Sequence, residues 1–348
     1  MNFTNQLIYW YLQTKRDLPW RKTKDPYLIW LSEIILQQTR VSQGISYYLA
    51  FSDAFPTVKD LANAKEKKVL KMWQGLGYYS RARNLHHTAK KIAEDHNEIF
   101  PTKYHKLIQL KGIGDYTASA ISSICFNEPE AVVDGNVYRV LARYFKIRIP
   151  INSTKGVKEF KNLAQSLLDK KQPGVYNQAI MDFGSIQCKP QNPNCQICPI
   201  NSGCLAFKEN IVKELPFKER KVKIKKKYFN YLVFVSQDHK TVFQERTEKG
   251  IWQGLYQFPL IETNTEVDLK DLISDEEFKK VVPNNASIKL FNEDSVVHKL
   301  SHQHLHTKFW IIETENNSQA SMHWEEIELL PVPTLIANFL KKFTSKLN

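Results

Sequence analysis

The densest chemistry in the chain is a run of cysteines spaced Cys188-x6-Cys195-x2-Cys198-x5-Cys204. Four thiolates in one short loop can wrap a single soft metal centre. A four-iron, four-sulfur cluster takes four such ligands, but zinc accepts four as well, and ligand type alone does not separate them. Spacing is the better guide, because structural zinc usually sits between two CxxC pairs parted by a longer insert, which this run is not. With five cysteines in all, an odd number, ligation in a reducing compartment is favoured over a disulfide framework. Cys125 stands apart and reads as a buried apolar residue.

Three further positions could do chemistry. In Leu110-Lys111-Gly112-Ile113-Gly114-Asp115, two glycines flank one apolar residue between helical stretches. That pattern lets the backbone turn tightly and aim amide N–H groups at an anion beside a helix N-terminus; an ordinary helix-helix turn is the plain alternative. Asp134, in Val132-Val133-Asp134-Gly135-Asn136-Val137, stands where a helix would begin, so an N-cap is its simplest role, and a catalytic role is compatible with it. Glu33 is less ordinary. Its helical neighbours are Ile29, Trp30 and Leu36, with Gln37 the one polar side chain at i+4. A carboxyl in apolar company has its pKa raised and stays protonated near neutrality, as a general acid requires.

Positioning these groups requires a helical first part. Asp25-Pro26 offers an N-cap and first-turn proline for a helix over 27–39, and helical patterning continues at 58–71, 81–96, 104–110, 116–125, 136–145, 155–170 and 175–186. Residues 1–207 therefore read as an all-α domain with the cysteine loop at its end. Residues 208–227 mix charges with a lone proline and read as an exposed basic linker. Beyond it the period shortens towards two. FNYLVFVS, KTVFQERT and HTKFWIIETE read as strands, DLKDLISDEEFKKV and PVPTLIANFLKKF as helices, making 228–348 an α+β domain.

Charge divides along the same line. Residues 1–212 hold 29 Lys and Arg against 17 Asp and Glu, while residues 228–348 hold 12 against 17. A basic front half suits a polyanion such as nucleic acid, although surface lysines also serve solubility alone. No apolar run approaches the roughly 20 residues of a membrane span, and the first residues lack the order of a signal peptide, so a cytosolic protein is expected.

Together these residues resemble a known family. LSEIILQQTRV around Glu33, Gly75-Leu76-Gly77-Tyr78-Tyr79 with Arg81-Ala82-Arg83-Asn84, the hairpin, VDGNVYRV and the cysteine loop are similar to the helix-hairpin-helix DNA glycosylases of the endonuclease III superfamily, and within them to the MutY adenine glycosylases. GIWQGLYQFP and LSHQHL resemble that family's C-terminal Nudix-like domain, which recognises 8-oxoguanine, so the likeness spans nearly the whole chain. The resemblance implies a monomeric base-excision enzyme carrying a [4Fe-4S] cluster on Cys188, Cys195, Cys198 and Cys204. Its substrate would be double-stranded DNA in which adenine faces 8-oxoguanine or guanine.

It also implies roles. Glu33 would protonate adenine at N7 and Asp134 would stabilise the oxocarbenium ion or trap it, with Tyr116 and Asn136 positioning the reacting groups. Gln38 and Tyr78 would fill the gap left by a flipped base, Lys111, Gly112 and Gly114 would grip phosphate, and Trp20, Arg21 and Gln178 would line the adenine pocket. Ser301 and His302, with Thr39 and Leu76 from the first domain, would meet 8-oxoguanine. Where related glycosylase-lyases carry a Schiff-base lysine this chain has Tyr116, which implies base release without strand cleavage. Two positions depart from the pattern: Lys111 replaces a proline common in the hairpin, and Leu300 the Phe of Phe-Ser-His. No Nudix metal box is present; Asp275-Glu276-Glu277 reads as a solvated helix face, and nucleotide hydrolysis is not expected. A mismatch thymine glycosylase and a non-catalytic DNA-binding module are the competing readings.

Overall fold

The computed structural model describes residues 2–219, 224–314 and 322–347. The chain divides into two compact units, one formed by Met1–Ala64 with Arg83–Arg220, the other by Lys65–Ala82 with Lys221–Asn348.

The first unit is helical throughout. Asp25 accepts the Tyr27 amide at 2.8 Å with Pro26 in the first turn, starting helix Pro26–Leu36, which is buried on nearly every side from Tyr27 to Ile35. Helix Pro173–Ile186 is the central post, packed by Phe3–Thr14, Asp115–Phe126 and Gly135–Tyr144 around Leu7, Ala120, Leu141, Phe160 and Phe183. Gly174 permits the close approach of Asp115–Phe126, since a Cβ there would lie 2.8 Å from Ser123 O. Asn177, fully buried, accepts the Val132 amide (3.1 Å) and donates to Glu130 O (2.7 Å) and Ser123 Oγ (2.8 Å). It thereby satisfies the extended segment that delivers Asp134, which a buried loop otherwise could not do for itself.

Several boundaries differ from expectation. The helix expected at 58–71 is two, Val58–Asn63 and Glu66–Met72, because Ala64 and Lys65 are extended. Two helices escaped the pattern: Phe3–Thr14, whose stripe is blurred by exposed Tyr9 and Leu12, and Val41–Ala54, which has no side-chain cap. Part of the supposed exposed linker is docked: Leu215 is buried, and Arg143 Nε donates to Val212 O (3.0 Å) and Leu215 O (3.1 Å). Residues 220–223 of that linker lie outside the described residues.

The second unit is built on a five-stranded sheet ordered Leu260–Thr263, Lys225–Ser236, Gln303–Thr314, Ser287–Leu290, with Val296–Lys299 also pairing with Gln303–Thr314. The two long central strands are parallel, and the run from Phe229 to Phe234 is buried on both faces, as expected where both sides of a sheet are covered. Phe309 stacks on Phe339 of helix Thr334–Leu347 with centroids 4.1 Å apart. The stretch expected as one strand over KTVFQERT is instead two short pairs, Lys240–Thr241 with Met322–His323 and Gln244–Glu245 with Tyr256–Gln257. DLKDLISDEEFKKV breaks into Leu269–Ser274 and Glu276–Val281 because Asp275 caps the second helix. The acidic trio is a solvated face: Glu276 pairs with Lys279 and Glu277 with Lys280. Glu315, the last residue of the expected final strand, lies outside the described residues.

Helix Glu66–Met72 and the turn after it complete this unit. Lys71 Nζ donates to Glu328 O and Leu330 O, Gln74 Oε1 accepts the Val332 amide (3.3 Å), and Tyr79 Oη donates to Val332 O (3.2 Å). Among the described residues no helix is long and apolar enough to cross a membrane.

Candidate active site

Glu33 sits at 9 % exposure on the wall of a cavity of about 490 Å3 that also receives Trp20, Arg21, Tyr116, Asp134 and Asn136. Burial is the largest influence on its carboxyl and pushes its pKa up to about 7; the Tyr116 hydroxyl bonds it and pulls back, the charge of Asp134 raises it further, and that of Arg21 lowers it. Tyr116 is pushed well above its ordinary range by burial and the two carboxylates, so its hydroxyl stays a donor, resting also against Met181 Sδ at 3.2 Å. Gln37, the polar neighbour of Glu33, reaches Thr117 Oγ1 at 3.4 Å.

Asp134 does cap its helix. Oδ1 accepts the amides of Asn136 (2.9 Å) and Val137 (2.8 Å), and Oδ2 accepts Asn136 Nδ2 (2.8 Å). Burial raises its carboxyl and these three donors oppose the rise. A carboxyl raised to about 7 and a second one bonded by three N–H donors thus face one cavity.

Behind Asp134, Asn136 Oδ1 accepts Arg139 at 2.9 Å, and the same guanidinium donates from Nε to Cys188 O at 2.7 Å. Arg143 reaches Cys188 Sγ at 3.4 Å. All four cysteines border one small cavity, of about 30 Å3, walled by Val140, Phe183, Ile200 and Phe207. Among the described residues no three His, Cys, Asp or Glu converge as ligands of a single ion would. An iron-sulfur cluster asks for something different, thiolates spread over separate irons within a sheltered shell, and the residues present fit it. Burial, with the neighbouring sulfurs, pushes the Cys198 thiol up to about 12 and raises Cys195 and Cys204. Thiolates here need cations beside them, and the irons of a bound cluster supply that charge.

The hairpin has the expected form. Gly112 sits at φ +82, where a Cβ would meet Asn84 at 2.8 Å, and Gly114 caps helix Asp115–Phe126 with open space around it. Lys111 is exposed, its carbonyl held by Thr88 Oγ1 at 2.7 Å. Gln38 and Tyr78 are both exposed and both in the left-handed region, φ +57 and +48. Non-glycine residues seldom adopt that conformation unless the surroundings impose it. Thr39 borders the Glu33 cavity, whereas Leu76, expected to act from the first domain, is buried in the second unit. Ser301 and His302 are exposed in that same unit, and the Ser301 hydroxyl is hydrogen-bonded to that of Tyr78.

Gln178 is not on the cavity wall; its Oε1 accepts the Tyr11 hydroxyl at 2.8 Å. Sequence reasoning missed Asp182, which is fully buried against Arg16 and Arg21. The signal that singled out Glu33 does not extend to it, since Gln178 and Ser185 are polar among its helical neighbours.

Residues 31–170 match the HhH-GPD superfamily of base excision DNA repair proteins, 188–204 the iron-sulfur binding domain of endonuclease III, and 230–342 the NUDIX domain. The adenine DNA glycosylase of Buchnera aphidicola subsp. Schizaphis graminum is 36% identical over 306 residues, 87% of this chain and 85% of that one. That of Buchnera aphidicola subsp. Baizongia pistaciae is 33% identical over 349 residues, 98% of this chain and 96% of that one. The chain belongs to the adenine DNA glycosylases. As such it is a DNA N-glycosylase of base excision repair, with an iron-sulfur loop at 188–204 and a Nudix-like second domain. A solved thermostable thymine-DNA glycosylase, 27% identical with a TM-score of 0.55, covers 60% of this adenine glycosylase and 95% of its own chain.

Proposed function

We propose that this enzyme removes adenine opposite 8-oxoguanine or guanine from double-stranded DNA, as a monomer in the cytosol, and leaves an abasic site uncut. The observation that carries the chemistry is the pair Glu33 and Asp134 on one cavity, the first protonated up to about pH 7 and the second bonded by three N–H donors that favour its anion. Adenine is a poor leaving group. Glu33 gives its proton to N7, and Asp134, held by three N–H donors, stabilises the positive charge that grows on the sugar or traps it. Tyr116 and Asn136 hold these two carboxyls in place, and Trp20 and Arg21 wall the base, with Gln178 supporting them from outside the cavity wall.

None of the side chains that line the cavity is a lysine, which supports release without a Schiff base. Gln38 and Tyr78 serve as wedges, since both are exposed on constrained turns. Lys111, Gly112 and Gly114 take the phosphate. Ser301, His302, Thr39 and Leu76 read 8-oxoguanine. The helical domain 1–207 carries the chemistry and residues 228–348 the lesion reading, joined by 208–227.

The test is base release on duplexes holding 8-oxoguanine:A, G:A or G:T, with strand cleavage scored in parallel. Release of adenine from the first two without cleavage is expected; release of thymine from G:T would favour the thymine reading that the solved relative suggests. Asp134→Asn is expected to stop release while its melting changes little, because asparagine caps a helix about as well as aspartate. Tyr116→Lys introduces an amine beside the sugar and is expected to give a borohydride-trappable adduct that the natural enzyme does not form.

A further inference from the structure

The geometry points to Asp182 as a positioning residue for base release: its buried carboxylate clamps Arg16 and Arg21 to the cavity wall and keeps the guanidinium of Arg21 from engaging Glu33. This rests on the reading of Glu33 as the acid.

Asp182 lies on helix Pro173–Ile186 with a side chain that is 0% exposed, while Arg21 is 12% and Arg16 29% exposed. Arg21 makes a two-pronged contact, NH1 to Oδ2 at 2.5 Å and NH2 to Oδ1 at 2.7 Å. Arg16 adds Nε to Oδ1 at 3.1 Å and a second contact through NH2. Burial alone would raise the Asp182 carboxyl, but the two guanidiniums outweigh it and hold the group below its ordinary range. One anion is therefore shared by two cations, and the trio carries a net positive charge beside Glu33.

That charge opposes the acid. Arg21 is the cation that lowers Glu33, and Glu33 in turn raises Arg21. The other groups that face Glu33 are Tyr116 and Cys125 from helix Asp115–Phe126 and Asp134 from the start of Gly135–Tyr144; Tyr11 faces Arg21 from helix Phe3–Thr14. The fork of Arg21 is occupied by Asp182, which stands behind the cavity wall. A guanidinium presents its donors in a rigid fork suited to a carboxylate, so an Arg21 released from Asp182 would take the next one, and the carboxyls within the cavity are Glu33 and Asp134. Engagement of Glu33 would hold it ionised and remove its proton from the reaction. A buried ion trio is weak evidence of added stability, since well-packed apolar side chains of similar volume often do as well.

The experiment is single-turnover adenine release by the full-length enzyme across the pH range, with DNA affinity and melting measured alongside. For Asp182→Asn the basic limb should move to lower pH by about one unit, so that the loss at about pH 8 exceeds that at about pH 5.5 several-fold. Arg16→Gln leaves Asp182 wholly to Arg21, and its limb should move the opposite way. Equal loss at every pH in Asp182→Asn, with the limb unmoved, would mean a structural role only and overturn the proposal. If Asp182→Asn does not fold, Arg16→Gln decides: an upward limb supports the clamp, an unmoved one sinks it. Glu33→Gln separates this from the acid assignment. Wild-type release with an unchanged limb in Glu33→Gln removes the acid reading itself, whereas a limb lost there but unmoved in Asp182→Asn removes only the role of Asp182.

Discussion

The hydroxyls of Tyr78 and Ser301 are hydrogen-bonded to each other across 223 positions of sequence. Tyr78 projects from a left-handed turn and is 47% exposed, and Ser301 precedes the strand that begins at Gln303. A proposed wedge and a proposed lesion contact are thus one polar unit, able to exchange their mutual bond for bonds to a base. Ser301→Ala should weaken discrimination between 8-oxoguanine:A and G:A by roughly tenfold, the size of one hydrogen bond, while release from G:A changes little. Competition binding with the two duplexes checks it, and unchanged discrimination would remove Ser301 from lesion reading.

Adenine release should be limited by protonated Glu33. With its carboxyl at about 7, the single-turnover rate should hold on the acid side and fall as pH rises through that value. Glu33→Gln keeps the shape without the proton, and its release should drop by about 10²–10⁴ with DNA binding retained. A pH-independent wild-type rate through neutrality would exclude Glu33 as the acid.

The same carboxyl should cost stability. Its folded value is raised from 4.5 to about 7, so the unfolded chain ionises first and folding is progressively weakened between those two pH values. The deficit is complete above about 7 and absent below 4.5, with an upper size on the order of 3 kcal/mol. Glu33→Gln should therefore melt higher than wild type on the alkaline side, with the difference shrinking towards pH 4.5. Melting curves at several pH values test the sign.

Loss of the cluster should be felt at Asp134. Arg143 touches Cys188 Sγ, Arg139 touches Cys188 O, and Arg139 also holds Asn136, which holds Asp134. Removing iron with a chelator should lower the melting temperature and also reduce base release more than nonspecific DNA binding. An equal decline of the two would show that the cysteine loop only supports the fold.

The carboxylates, hairpin and cysteines were legible because each depends on local sequence. Asp134 stands before a helix start, two glycines mark a turn, and the cysteines lie within one short loop. Asp182 and Met181 were not legible, because they matter only once helix Pro173–Ile186 is placed against Arg21 and Tyr116. Gln178 sits on that same helix, but its bond goes to Tyr11. The fold was readable where period and caps agree, and failed at Ala64–Lys65, where a helical pattern hides a change of unit.

That change of unit sets an order of events during synthesis. Helix Glu66–Met72 and the turn to Ala82 leave the ribosome well before the carbonyls and amide that receive Lys71, Gln74 and Tyr79, which belong to Glu328, Leu330 and Val332, at least 253 positions further along the chain. Leu70 and Trp73, fully covered in the finished unit, lie on that same segment. A nascent chain therefore carries an unfinished apolar segment until that later stretch is made, a window in which chaperones and proteases compete for it.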